Sequence, residues 1–295
     1  YPVSMPSEAP LSPVLHHRAE RLVYPALSRR AGGLSIGVNL FPEGKVCDFD
    51  CPYCEVPPAR APMTNGTGEV PGVPPAGRVD LAELRAALDS TLARAPGRFG
   101  VPVIDVCFSG DGEPTLSPDL VPALAIAAEA RDRLAPTASL VLITNAASLG
   151  DAKLALALAD AVDRFGLDVW AKLDAYDEAR YRAINAGARS FDKVALALRD
   201  FSRERPVTLQ SMFCSIDGKA PTARDIEGLL SLAARLRESG SRFREFHIYT
   251  QARPAFSGRT APLADQDLLV IGERAAEVLP GLRVRVFGEL SELLP

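Results

Sequence analysis

The feature that most constrains the fold of this chain is a repeated alternation of short apolar segments with longer segments of helical spacing. The short segments are rich in Val, Ile, Leu and Phe, which favours strands, and the long ones carry apolar residues three and four positions apart. The predicted strands are 34–41, 102–108, 138–144, 167–174, 207–214, 244–250 and a closing 282–287. The predicted helices are 80–94, 117–133, 151–164, two stretches within 177–203, 222–238 and 264–279.

Successive strand–helix units of this kind predict an α/β fold, in which helices cover a parallel sheet. Right-handed crossovers can arrange such units as a doubly wound sheet or as a partial barrel, and periodicity does not decide between the two. In both arrangements ligands bind beyond the carboxyl ends of the strands. The segments that follow the strands are therefore the candidate functional segments.

Composition and charge exclude several classes of protein. The 295 residues are 47% hydrophobic, as in a globular domain, and the net charge of −4 gives no general attraction to nucleic acid. A local basic cluster is nevertheless present, formed by Arg18, Arg21, Arg29 and Arg30. No apolar run approaches the roughly 20 residues of a membrane span, so we expect a cytoplasmic protein with no membrane partner. Residues 1–19 are predicted to be a poorly ordered N-terminal lead-in.

Three of the five cysteines, Cys47, Cys51 and Cys54, lie in the loop after the first predicted strand. The other two, Cys107 and Cys214, belong to apolar strands and are predicted to be buried core residues. An odd number of cysteines in a cytoplasmic chain argues against a disulfide framework. The loop is therefore a candidate metal or redox site.

Three kinds of site are compatible with this loop. A dithiol redox centre would use the C-P-Y-C pair, Cys51 and Cys54, and would leave Cys47 without a role. A structural zinc ion needs four ligands, so a distant residue would have to supply the fourth. The candidates are His16, His17, His247, Cys107 and Cys214. Three thiolates can also bind three irons of a 4Fe-4S cluster, which leaves the fourth iron open to a small molecule.

The arrangement Cys47-x3-Cys51-x2-Cys54, with Tyr53 before the last cysteine, resembles the motif of the radical S-adenosylmethionine (radical SAM) superfamily. Residues 28–56, "SRRAGGLSIGVNLFPEGKVCDFDCPYCEV", are similar to the N-terminal signature of the branch that contains tRNA wyosine-type synthases and bacterial relatives. "FSGDGEPTLSPDL" (108–120) is similar to that branch's second-strand motif. "ITNAASL", "KLDAYDEARYRAIN" and "YTQARPA" follow at the expected places.

This resemblance implies a partial (β/α)6 TIM-like barrel of parallel strands with outer helices, spanning about residues 20–290. It implies that Cys47, Cys51 and Cys54 hold a 4Fe-4S cluster and that S-adenosylmethionine chelates the open iron. The residues implied to bind this cofactor are Tyr53, Gly110, Gly112, Glu113, Thr144, Asn145, Lys172 and Asp174. The substrate-side candidates are Gln251 and Arg253, and the catalytic residues for the substrate are not identified.

The implied roles are specific. Tyr53 is expected to lie along the adenine, and the turn from Gly110 to Glu113 to meet the methionine ammonium. Polar groups at the ends of strands three and four are expected to reach the ribose or the carboxylate of the cofactor. The loop 55–80, rich in Pro and Gly, is expected to shield the substrate. Asp111 stands where many relatives have a small residue, so its role is open.

The resemblance implies an enzyme that takes one electron from a flavodoxin- or ferredoxin-type donor and abstracts hydrogen from a substrate. We expect a small metabolite or a short peptide, because no cysteine for a second cluster precedes Cys47 and the isoelectric point is about 5.6. Modification of a tRNA base is the alternative substrate hypothesis. A non-catalytic iron–sulfur or zinc-binding protein on the same fold is a third hypothesis, of a different class.

Overall fold

The computed structural model describes residues 22–30, 32–57 and 78–294. The predicted lead-in, 1–19, and most of the loop 55–80 lie outside these ranges, so both expectations remain predictions. The first half of the described chain contains strands β1 (Val23–Ser28), β2 (Gly33–Val38), β3 (Val103–Phe108), β4 (Ser139–Thr144) and β5 (Leu167–Lys172). The second half contains β6 (Val207–Met212), β7 (Cys214–Ile216), β8 (Phe243–Tyr249), β9 (Thr260–Pro262), β10 (Arg283–Phe287) and β11 (Glu292–Leu294).

The helices follow the strands as predicted. They are α1 (Leu81–Phe99), α2 (Leu120–Leu134), α3 (Ala152–Phe165), α4 (Glu178–Ile184), α5 (Phe191–Glu204), α6 (Ala223–Glu238) and α7 (Asp265–Val278). Local sequence explains where they begin and end: Asp80 accepts hydrogen bonds from the first turn of α1, and Gly100 ends that helix in the left-handed conformation. Asp151 and Gly166 do the same for α3.

Within the described residues, nine strands form one sheet in the order β1-β2-β3-β4-β5-β6-β8-β10-β11. The strands from β2 to β10 are parallel, and β1 and β11 pair antiparallel at the two edges. Each parallel strand lies beside the one before it, whereas a doubly wound sheet reverses its strand order. The sheet curls into a half-barrel, which confirms the predicted partial TIM-like barrel.

The strands that the sequence did not predict are short or lie at an edge. β1 contains Pro25, which is tolerated because an edge strand needs fewer backbone donors. β7 and β9 are three-residue strands that pair antiparallel outside the main sheet. Three residues give no measurable periodicity, so such strands are not visible in the sequence.

The two faces of the half-barrel differ in polarity. Residues on the outer face, such as Leu209 and Phe246, are fully buried in the main hydrophobic core against the helices. The alternate residues of the same strands, such as Gln210 and His247, are also buried but are polar. A polar interior differs from the branched aliphatic layers that fill a closed barrel, and it suits a barrel that holds a ligand.

In the part of the chain that the structure describes, no helix is both long enough and apolar enough to cross a bilayer.

Candidate functional site

The loop that contains Cys47, Cys51 and Cys54 leaves the carboxyl end of β2 and is fixed by backbone hydrogen bonds to three other segments. Glu113 N donates to Val46 O (2.8 Å), and Asp50 N donates to Asn185 O (2.9 Å). On the other side, Phe256 N donates to Cys54 O (2.9 Å). The loop is therefore held at the mouth of the half-barrel by segments that follow β3, β5 and β8.

All three loop cysteines are partly buried and form no disulfide. The Cys47 sulfur accepts from Phe49 N at 3.4 Å and lies 3.9 Å from Asn145 Nδ2. The Cys51 sulfur accepts from Asn185 Nδ2 at 3.5 Å. Burial raises the pKa of the Cys51 thiol to about 11 and that of Cys47 well above its usual value. Burial thus favours the neutral thiols, and a metal cation bound to the sulfurs would favour the thiolates.

The donor set fits an iron–sulfur cluster better than a single ion. Among the described residues, no three His, Cys, Asp or Glu side chains are arranged to hold one metal ion. Of the candidates for a fourth zinc ligand, His247 bonds Glu245 inside the barrel, Cys107 packs in a separate apolar cluster, and Cys214 packs with Tyr53 and Ile184. His16 and His17 lie outside the described residues. A cluster needs only that each thiolate reach a different iron, and amide donors near the sulfurs are typical of such sites. Both Cys107 and Cys214 are buried, as predicted.

The turn Gly110–Glu113 follows β3 and packs directly on the cysteine loop. Gly110 has φ of +135°, a conformation that favours glycine, and the Asn39 side chain lies against its Cα. A Cβ on Gly112 would lie 2.3 Å from Val46 O. Asp111, whose role the sequence left open, accepts from Asn39 Nδ2 at 2.8 Å and so ties the turn to the end of β2.

We expect Gly112→Ala to separate this turn from the cysteine loop, because its Cβ would meet the Val46 backbone at 2.3 Å. The variant should unfold at a lower urea concentration than the wild type and take up less iron on reconstitution. Gly97→Ala is the matched control, since nothing lies within 4 Å of a Cβ at that helical position. Alanine there should raise stability by roughly 0.5–1 kcal/mol. Equal urea midpoints for the two variants would contradict the proposed packing.

Glu113 connects the ends of two neighbouring strands through a buried carboxylate. Its Oε1 accepts from Thr144 Oγ1 (2.7 Å) and from the backbone and hydroxyl groups of Thr115 (3.2 and 2.7 Å). Its Oε2 accepts from Asn145 N at 2.7 Å. Burial raises the pKa of Glu113 to about 7, although these donors favour the ionised form. The carboxylate therefore fixes the geometry of this side of the site.

A second polar group lies across the mouth from Glu113. Lys172 pairs with Asp174 (Nζ–Oδ2 3.2 Å), and its Nζ donates to Tyr249 Oη at 2.7 Å. The ammonium also lies 4.8 Å from the centroid of the Tyr53 ring. Tyr53 Oη donates to Asp174 Oδ2 and accepts from Asn185 Nδ2 at 3.2 Å. The same asparagine reaches the Cys51 sulfur, so this group is continuous with the cysteine loop.

Two clefts open beside Asp174. One is about 360 Å³ out to its mouth, and its lining includes Tyr53, Met212 and Cys214 together with the charged Arg180 and Asp225. The other, of about 240 Å³, is lined by Asn145, Lys172 and aromatic side chains. Both clefts therefore lie next to residues of the two polar groups.

The structure thus brings predicted site residues together in two hydrogen-bonded sets on either side of the cysteine loop. The Glu113 set consists of Glu113, Thr115, Thr144 and Asn145. The Lys172 set consists of Lys172, Asp174, Tyr53, Tyr249 and Asn185. Asn39, Asn185 and Tyr249 also belong to the site and were missed from sequence. A single Asn after a strand or helix is an ordinary cap, so nothing local marked Asn39 or Asn185. Of the substrate candidates, Arg253 forms an ion pair with Glu55 at 2.7 Å, and Gln251 is buried beside Thr260.

Several known proteins resemble this chain in sequence or in fold. The family model of the radical SAM superfamily matches residues 44–233. A UPF0026 protein of Helicobacter pylori strain J99 is 33% identical over 97 residues, a match that covers 33% of this chain and 27% of that protein.

Two solved structures show the same fold at low sequence identity. A radical SAM methyltransferase from Sphaerobacter thermophilus has a TM-score of 0.56 at 17% identity, with 86% of this chain and 65% of that chain covered. Native anSMEcpe with bound AdoMet has a TM-score of 0.51 at 17% identity, with 85% of this chain and 63% of that chain covered. The chain therefore spans a little under two thirds of either structure.

Proposed function

Because this chain belongs to the radical SAM superfamily, we propose that it is an enzyme that cleaves S-adenosylmethionine at a 4Fe-4S cluster held by Cys47, Cys51 and Cys54. The observation that carries the proposal is the convergence of the three-thiol loop with the Glu113 set and the Lys172 set at one barrel mouth. When bound, the cluster and cofactor supply the chemistry: one electron cleaves the sulfonium, and the 5′-deoxyadenosyl radical takes a hydrogen atom from the substrate.

The Glu113 set is proposed to receive the methionine end of the cofactor. Oε1 of Glu113 already accepts three hydrogen bonds, whereas Oε2 accepts one, from Asn145 N. A carboxylate oxygen has two lone pairs, so Oε2 retains capacity for an ammonium donor. A cation there would also favour the ionised form of a carboxyl whose pKa burial raises to about 7.

The Lys172 set is proposed to hold the other end of the cofactor. Lys172 has three donors, of which Asp174 and Tyr249 take two, so one remains for a carboxylate or hydroxyl oxygen. Asp174 is already engaged by Tyr53, Lys172 and Met212 N (2.8 Å), which makes it a positioning residue for Tyr53. Tyr53 lines the larger cleft, where its ring would meet the adenine.

We propose a small metabolite or a short peptide as the substrate, and a flavodoxin- or ferredoxin-type protein as the electron donor. The RNA alternative depended in part on a basic surface that included Arg29 and Arg30. Both of these side chains turn into the half-barrel, where they contact Thr250 O and Gln210. Arg18 and Arg21 lie outside the described residues, so the argument concerns this pair alone.

The function is tested by anaerobic reconstitution of the full chain, followed by dithionite and S-adenosylmethionine. We expect 5′-deoxyadenosine and methionine to accumulate over time, measured by liquid chromatography and mass spectrometry. A reaction without dithionite is the control for contaminating nucleosides. If the two reactions give equal 5′-deoxyadenosine from protein with a full complement of iron and sulfide, the proposed function is wrong.

A further inference from the structure

The turn between β1 and β2 sends two consecutive arginines into the interior of the half-barrel. Arg29 Nη2 donates to Thr250 O at 2.8 Å, and Arg30 Nη1 donates to Gln210 Oε1 at 2.8 Å. The Arg30 guanidinium also lies 4.7 Å from the centroid of the Tyr249 ring. These partners belong to β6 and β8 or follow β8, so the arginines span the interior from one edge of the sheet to the opposite wall.

Within the described part of the chain, neither arginine of this pair forms an ion pair with a carboxylate. Among the residues that the structure describes, no carboxylate lies within the 4.0 Å of an ion pair from either guanidinium. Asp105 and Glu289 act on the pair only from beyond that distance. Other cations at the mouth are paired: Lys172 with Asp174 (3.2 Å) and Arg253 with Glu55 (2.7 Å).

Arg29 also has an unused donor. Its Nη1 is buried and has no hydrogen-bond partner among the described residues. Burial and the adjacent Arg30 lower the pKa of Arg29 to about 10, the direction expected of a cation held without a counter-ion. A buried, unpartnered donor on a charged group is unfavourable, and an anionic ligand would offset that cost.

We propose that Arg29 and Arg30 form the anion-binding part of the substrate site, and that the substrate carries a carboxylate or phosphate group. The planar fork of arginine matches the oxygen geometry of both groups. This inference rests on the proposed function, since it concerns the substrate of that same barrel.

The position of Arg30 distinguishes it from the proposed cofactor contacts. Arg30 reaches Gln210 and lies 6.0 Å from the Trp170 ring, and these residues stand two positions before the strand ends Met212 and Lys172. Inward-facing side chains repeat every second residue, so Arg30 reaches the layer below Lys172, whereas Arg29 contacts Thr250 O just beyond the end of β8. The proposed cofactor residues lie at the strand ends and in the cysteine loop, one layer above.

The test uses the full chain with its cluster reconstituted, without reductant and without S-adenosylmethionine. Inorganic phosphate and succinate are the probes, titrated calorimetrically at constant ionic strength set with chloride. We expect one probe to bind the wild type and Arg29→Gln to weaken that binding about tenfold or more, since a charge-assisted pair of hydrogen bonds is lost. The probe that binds decides between a phosphate and a carboxylate.

Arg164→Gln is the matched control, because Arg164 is an exposed arginine paired with Asp160 on the outside of the barrel. If neither probe binds the wild type, or if both variants bind it equally well, the proposal is overturned. It is also overturned if Arg29→Gln weakens S-adenosylmethionine binding by the same factor, since the pair would then serve the cofactor. Should Arg29→Gln fail to fold, Arg29→Lys keeps the charge without the fork, and the same criteria apply to it.

This experiment is independent of the proposed function. Anion binding is measured on the oxidised protein, whereas cofactor cleavage is measured with reductant and no added anion. A chain that forms 5′-deoxyadenosine but binds neither probe would keep the function and lose only the inference about its substrate.

Discussion

Cys51→Ala is expected to abolish 5′-deoxyadenosine formation, with a loss of at least about 100-fold, because second-shell changes alone cost metal sites that much. Removal of one thiolate leaves two loop ligands for a cluster that uses three. The Asn185 amide, which now donates to the Cys51 sulfur at 3.5 Å and to Tyr53 Oη at 3.2 Å, would lose the first of these acceptors. The measurements are product formation under dithionite and the iron and sulfide bound per chain.

The matched control is Cys107→Ala. Cys107 is buried, whereas Cys51 is partly buried, and Cys107 packs with Val141 and Trp170 on the barrel wall, away from the cysteine loop. Its replacement should cost about 1 kcal/mol of stability and leave the iron content of the protein unchanged. Equal loss of iron in both variants would mean that the fold, and not a ligand, had been damaged. Undiminished product from Cys51→Ala would contradict the assignment of the loop.

Glu113→Ala is expected to lower the free energy of unfolding by at least about 3 kcal/mol, because it leaves several buried donors without an acceptor. These donors are Thr115 N and Oγ1, Thr144 Oγ1 and Asn145 N, and all of them now point at one carboxylate. The loss would also release the end of β4 from the turn after β3. Equilibrium unfolding in urea measures the effect directly.

Glu129→Ala provides the control for Glu113→Ala. Glu129 is an exposed glutamate on α2 whose carboxylate pairs with Arg85 at 2.9 Å. An exposed ion pair contributes at most about 1 kcal/mol, so this variant should unfold close to the wild type. If both alanine variants shift the urea midpoint equally, Glu113 is not the connection between the strand ends that its contacts indicate.

The order of strands and helices was predictable because periodicity records which faces are buried. Predicted strand 138–144 matches β4 to within one residue, and predicted helix 222–238 matches α6 equally well. The location of the site was predictable for a related reason, since all parallel strands direct their carboxyl ends to the same edge. A cysteine loop, a Gly–Asp–Gly–Glu turn and a Thr–Asn pair after successive strands therefore had to lie near one another.

The sequence could not show which polar groups pair, because these contacts join residues far apart in the chain. Tyr53 and Asp174 meet across 121 positions, and Glu113 and Asn145 across 32. The direction of Arg29 and Arg30 was equally hidden. A pair of arginines at a turn is typical of a solvated surface, and only the antiparallel pairing of β1 with β2 aims this turn at the barrel interior.

By itself, then, the sequence determined the α/β class, the strand and helix order and the three-cysteine motif, since each depends on residues close together in the chain. The tertiary structure decided the curl of the sheet, which depends on strand order, and the two sets of polar contacts around the cysteines. It also decided that the barrel interior contains two arginines without carboxylate partners among the described residues. These features depend on long-range packing. The sequence shows that one face of each strand is buried, but it does not show which residues the other face will contact.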